Sequence, residues 1–174
     1  MGGILFIVAI VLTDLVFGWF EKMLNPTLLI LLFVLITYGL IGMWDDSIKL
    51  FRRQNEGLKA WQKMLGQIVA AVIFSAVYIH EGFPMAIKIP FAGDLQLGYW
   101  YILFIVFWLV GFSNAVNLTD GLDGLVAGLG TISFAAYGII AIVQKQTEVA
   151  GFCFSVGGGL LGFFIFNHKP AKIF

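Results

Sequence analysis

Two polar clusters interrupt an otherwise apolar chain. Asn114-Ala115-Val116-Asn117-Leu118-Thr119-Asp120-Gly121-Leu122-Asp123-Gly124 places two carboxylates and two amides between two membrane-length apolar segments, and Asp45-Asp46, followed by Lys49, closes another. Ionisable groups at a membrane boundary that face protein or water are functional candidates by default. Asp45, Asp46 and Lys49 stand at i, i+1 and i+4, so if the helix continues, Asp45 and Lys49 share a face. Neighbouring carboxylates can hold Mg2+, orient a nucleophile or accept a proton, and the lysine can neutralise a phosphate. A charged helix end that retains a loop on one side of the membrane explains this short motif equally well. The longer block is more specific. Asn117, Asp120 and Asp123 recur every three residues, which on a helical turn puts them roughly on one face. Gly121 and Gly124 leave space for the backbone to approach a ligand. Helix capping by Asn114, Asn117 or Asp120 accounts for one or two of these residues, not for all of them. Two carboxylate sites on one face of a membrane protein suggest a metal-dependent phosphate enzyme.

The elements that must position these groups follow from composition. Of 174 residues, 60% are hydrophobic and 11% charged, and mean hydropathy is +0.98. A soluble domain has about 45–50% apolar and about 25% charged residues. A formal net charge of zero argues against a nucleic-acid partner. Cys153 is the single cysteine, which leaves no disulfide framework, and it reads as a small buried hydrophobe. The chain is an all-α integral membrane protein of one transmembrane domain.

A spanning helix needs about 20 mostly apolar residues. Six stretches approach or meet this: 4–20, 27–44, 64–79, 97–116, 122–143 and 149–166. The first has neither a basic region before it nor a small-residue cleavage site after it, and reads as a span rather than a signal peptide. Lys and Arg in loops are retained on the cytoplasmic side. Lys49, Arg52, Arg53, Lys59 and Lys63 share one loop, and Lys169 and Lys172 follow the last span. Only Lys22, Lys88 and Lys145 fall on the other side. Both carboxylate sites are therefore expected in the cytoplasm. On the outer side, alternation around Gly93-Asp94 predicts a small β-hairpin, and His80-Glu81 reads as a pair of solvated interface residues. Asp14, inside the first span, faces a neighbouring helix or snorkels to the boundary. Gly158 and Gly162, with Gly157 and Gly159, read as a close helix-packing surface.

The block ending Val116-Asn117-Leu118-Thr119-Asp120-Gly121-Leu122-Asp123-Gly124, with Asp45-Asp46-x-x-Lys49 upstream, resembles the polyprenyl-phosphate N-acetylhexosamine-1-phosphate transferases. Gly57-Leu58-Lys59-Ala60, then Lys63, and the ending Asn167-His168-Lys169-Pro170-Ala171-Lys172-Ile173-Phe174 match the branch that handles the muramoyl-pentapeptide donor. The resemblance covers essentially the whole chain. It implies that undecaprenyl phosphate attacks the β-phosphate of UDP-N-acetylmuramoyl-pentapeptide. UMP is released and the first lipid-linked peptidoglycan precursor forms at the bacterial cytoplasmic membrane, with Mg2+ required. It further implies that Asp45 engages or deprotonates the acceptor phosphate, that Asp46 lies beside the metal and phosphates, and that Lys49 contacts phosphate. Asn117, Asp120 and Asp123 would line the donor pocket, Asn167 would lie close to it, and Phe174 would stack on uracil. A homodimer is also consistent with the resemblance.

Relatives of this kind have a fold of roughly ten helices, and six are read here. Met1-Gly2-Gly3 matches the end of a family Pro-Thr-Met-Gly-Gly segment. Phe174 stands where the family continues into Gly-Asp-x-Gly-Ser and, later, a histidine-rich motif. The expectation is an internal portion of the transferase, incomplete at both ends and inactive alone. The alternatives are a relative that transfers N-acetylglucosamine-1-phosphate and a non-catalytic multi-span protein. The latter fits less well, because transporters place charge near mid-membrane and often carry inverted repeats.

Overall fold

The computed structural model describes residues 2–52, 57–89, 91 and 93–171. Among these, six helices are long and apolar enough to cross a membrane. They are α1 (Gly2–Phe20), α2 (Pro26–Arg52), α3 (Ala60–His80), α4 (Trp100–Thr119), α5 (Leu125–Val143) and α6 (Thr147–Asn167). Between α3 and α4 lies an antiparallel hairpin, β1 (Ala86–Ile89) and β2 (Gly93–Gln96), in register Ala86↔Gln96 and Ile89↔Gly93. Helices dominate because hydrocarbon offers no partners for backbone N–H and C=O groups, which must pair within each segment. Large side chains such as Phe107 and Phe20 stay more than three-quarters exposed, as a lipid-facing surface requires.

The core is small and joins three helices. Ile10 of α1, Leu28 and Leu32 of α2, and Phe152 and Val156 of α6 form one buried cluster. α6 is the hub, packing against α5, α1 and α2, while α3 packs against α2 and α4. Asn25 caps α2, its Oδ1 accepting from the Leu28 N–H (3.1 Å), and its amide donates to Glu148 Oε1 at the start of α6 (2.8 Å). Pro26 takes the first helical position, where a missing N–H costs nothing.

Of the two readings of Asp14, the structure bears out the first: it faces a neighbouring helix, is 4% exposed and accepts a hydrogen bond from the Ser155 hydroxyl of α6. The expectation for the α6 glycines changes. The close-packed glycines of α6 are Gly157, against Phe134 and the backbone of α5, and Gly159, against Ile10 of α1. A Cβ on Gly158 or Gly162 would meet nothing within 4 Å. Spacing marks a small-residue stripe, but the helix's rotation decides which members meet a neighbour.

Candidate active site

Both polar clusters lie at one end of the bundle. α2 continues eight residues beyond Trp44, so Asp45, Asp46 and Lys49 stand on regular helix. Lys49 Nζ pairs with Asp45 Oδ2 (2.9 Å) and with Asp46 Oδ1 (3.2 Å). The two aspartates differ sharply. Asp45 is buried, and its Oδ1 also accepts from the Leu58 N–H (2.8 Å). Asp46 keeps 62% of its side chain exposed. The return of the chain past Asp45 depends on Gly57, where a Cβ would collide with the Asp45 carboxylate and lie 2.8 Å from its backbone oxygen.

The second cluster is not one helical face. α4 ends at Thr119, and Asp120 leaves the helix with φ −77° and ψ 56°. The three-residue recurrence therefore does not align Asn117 with Asp120 and Asp123. Asn117 remains on α4, and its Oδ1 accepts from Lys63 Nζ of α3 (3.1 Å). Asp120 and Asp123 belong to the connection that opens α5. Gly124 closes that connection at φ +78°, a conformation that favours glycine. A Cβ there would sit 3.0 Å from the Phe164 ring and 3.1 Å from His168 Cα. The Gly124 N–H donates to Asn167 Oδ1 (3.0 Å), locking the end of α6 onto the start of α5. The Ala171 N–H reaches Asp123 Oδ2 (3.4 Å).

A cavity of about 490 Å³ gathers Asp46, Asp120, Asp123 and Asn167, with Gly121, Val126 and Phe163 among its other walls. Residues 46, 120 and 167 thus share one surface although long stretches of chain separate them. A second, apolar groove of about 480 Å³ runs between α1 and α2, past Ile7, Val11 and Leu40, and also reaches Gly3 and Asp46. Among the described residues, no three His, Cys, Asp or Glu side chains converge as a ready metal site. Mg2+, however, is commonly held by one or two carboxylates, with waters and substrate phosphates completing its shell. Carboxylates on one cavity beside a lysine fit that mode. Phe174, expected at the nucleobase, lies outside the described residues.

The profile of glycosyl transferase family 4 matches residues 28–174. The chain belongs to this family. Over its full length it is 63% identical to a phospho-N-acetylmuramoyl-pentapeptide-transferase of Lactiplantibacillus plantarum, covering 54% of that protein. It is 63% identical to the Levilactobacillus brevis protein of the same name and 58% identical to that of Enterococcus hirae, again covering 54% of each. The chain spans about half the length of the curated relatives it matches. The family match takes in every candidate residue of both clusters. Sequence reasoning used Lys63 for orientation and for the family resemblance and did not foresee its bond to Asn117. Nor did it single out Gln67, although a primary amide inside an apolar segment is a visible signal.

Proposed function

We propose that this chain supplies the catalytic face of a membrane transferase that moves phospho-N-acetylmuramoyl-pentapeptide from its UDP-linked donor to undecaprenyl phosphate. The observation that carries this reading is the convergence of Asp46, Asp120, Asp123 and Asn167 on one cavity, with Lys49 paired to Asp46. The family and the names of its close relatives support it. In the reaction, an oxygen of the acceptor phosphate bonds to the β-phosphorus of the donor. The bond from that phosphorus to the bridging oxygen breaks, and UMP leaves with the electron pair.

Phosphoryl transfer depends mainly on positioning and charge neutralisation. Lys49 neutralises a phosphate of the reacting pair. When phosphate recruits Lys49, Asp45 Oδ2 loses its partner and becomes available to engage the acceptor phosphate or take its proton. Asp120 and Asp123 orient the donor, Asp123 nearer the nucleobase, and Asn117 and Asn167 support the same pocket. Asp46 is the residue that would hold Mg2+, whose chemistry when bound is to offset charge on the diphosphate. The apolar groove ending at Asp46 suits the isoprenoid chain of an acceptor whose phosphate must reach the cavity. The lysine-rich end of the bundle is assigned to the cytoplasm of a bacterial plasma membrane, where nucleotide-linked donors are found.

The test is donor choice by the complete gene product, purified free of host enzymes. With undecaprenyl phosphate and Mg2+, UDP-N-acetylmuramoyl-pentapeptide is expected to yield UMP and lipid-linked product in equal amounts. Product from UDP-N-acetylglucosamine alone would move the assignment to the other branch of the superfamily.

A further inference from the structure

Gln67 lies inside the apolar α3 and is 1% exposed. Burying a primary amide is unfavourable unless its donors and acceptors are met. Here the side-chain nitrogen donates to Ser113 Oγ (3.0 Å), and the side-chain oxygen accepts from Asn114 Nδ2 (2.7 Å). The backbone carbonyl of the same residue accepts from the Tyr38 hydroxyl (3.1 Å). Asn114 spends its remaining donor on the Val110 carbonyl of its own helix (2.8 Å). One residue therefore ties α3 to α4 through its side chain and to α2 through its backbone.

The position of this tie matters more than its strength. Lys63 precedes Gln67 by one helical turn, and Asn117 follows Ser113 by one turn, an axial step of about 6 Å in each case. Asp45 lies two turns beyond Tyr38, about 10 Å along α2. α3 runs opposite to α2 and α4, so all three steps lead to the same end of the bundle. Lipid tails are as apolar as leucine, so apolar contact alone discriminates weakly between neighbouring registers of two membrane helices, whereas hydrogen bonds between helices do. A slip of α3 along α4 by one residue's rise would strand the amide and separate Lys63 from Asn117.

We propose that Gln67 is a positioning residue. It sets the axial register of α2, α3 and α4 and so delivers Lys63, Asn117 and Asp45 to the candidate site. Its bearing on catalysis rests on the transferase reading above; the register itself does not.

The test uses the complete gene product in lipid nanodiscs and two variants. Gln67→Met keeps length and bulk but removes both side-chain bonds, and is expected to lower kcat/KM for the muramoyl-pentapeptide donor about tenfold or more. Gln67→Met combined with Asn114→Leu removes the stranded amide as well, so folding recovers. Activity is expected to stay low, because no polar rung restores the register. Spin labels at Lys63→Cys and Asn117→Cys, with Cys153→Ser, give a readout independent of the reaction. Their distance distribution is expected to be narrow with Gln67 and shifted or broadened in both variants. Recovery of full activity in the double variant, or an unchanged distance distribution in Gln67→Met, overturns the proposal. If the wild-type protein transfers no phospho-sugar, the transferase reading fails, and the distance measurement alone decides the register claim.

Discussion

The two halves of the acidic cavity are held together by different physics. α5 and α6 meet by shape. A Cβ on Gly138 would lie 2.8–3.0 Å from Phe154 ring atoms, and one on Gly130 would lie 2.8 Å from Leu160. α2, α3 and α4 meet through polar groups: Asp45 with Leu58, Lys63 with Asn117, and Gln67 with Tyr38, Ser113 and Asn114. The glycine-knit half carries Asn167 and anchors the loop of Asp120 and Asp123. The hydrogen-bonded half carries Asp45, Asp46 and Lys49. Small residues and interhelical hydrogen bonds are the two ways that membrane helices associate without a hydrophobic driving force between them. This chain relies mainly on one on each side of the candidate site, with the Gly124–Asn167 hydrogen bond added on the glycine side.

The largest effects should come from the cavity carboxylates themselves. Asp46→Ala and Asp123→Ala, one from each half, are each expected to lower product formation by about 10²–10³-fold, the scale of losing one preorganised electrostatic group. Thermal melts in detergent should barely move, because Asp46 is largely exposed. If either variant keeps more than a third of wild-type rate, its half does not contribute to catalysis.

Asp45→Ala should behave differently from its neighbour. It strands the Leu58 N–H and leaves Lys49 paired with Asp46 alone, so it is expected to cost about 1–3 kcal/mol of stability in addition to activity. A melt indistinguishable from wild type would show that the α2–α3 elbow does not lean on this carboxylate. On the opposite side, Gly138→Val should destabilise by about 1–3 kcal/mol through overpacking against Phe154. Specific activity per folded molecule should hold steady; a selective loss of kcat would mean that α5 geometry reaches the chemistry directly. Gly158→Ala is the smallest change. Nothing lies within 4 Å of the new methyl group, so stability should stay within about 0.5 kcal/mol of wild type.

Much of this arrangement was legible before any coordinates. Hydropathy and length identified six helices, and alternation around Gly93-Asp94 identified the hairpin. The alternation of six spans placed Asp45-Asp46 and Asp120–Asp123 at the same end, where the cavity gathers Asp46, Asp120 and Asp123. What sequence did not carry was the relation between helices. The spacing of Asn117, Asp120 and Asp123 reads as a helical face, yet the helix stops at Thr119 and only the last two line the cavity. Asn117 answers to Lys63, a partner 54 residues away that no local pattern reveals. Asp45 and Asp46 look equivalent in sequence. Helix rotation and the return of the chain at Gly57 make one an anchor and leave the other open to solvent.

The central claim is that residues from both halves form one donor site. It is tested most directly by measuring binding of UDP-N-acetylmuramoyl-pentapeptide to the complete gene product, with Mg2+ and without acceptor, in wild type and in Asp46→Asn and Asp123→Asn. Binding that UMP competes away, and that each substitution weakens about tenfold or more, is the predicted result. Wild-type affinity in both variants would mean that the donor binds elsewhere and that the cavity is not the site.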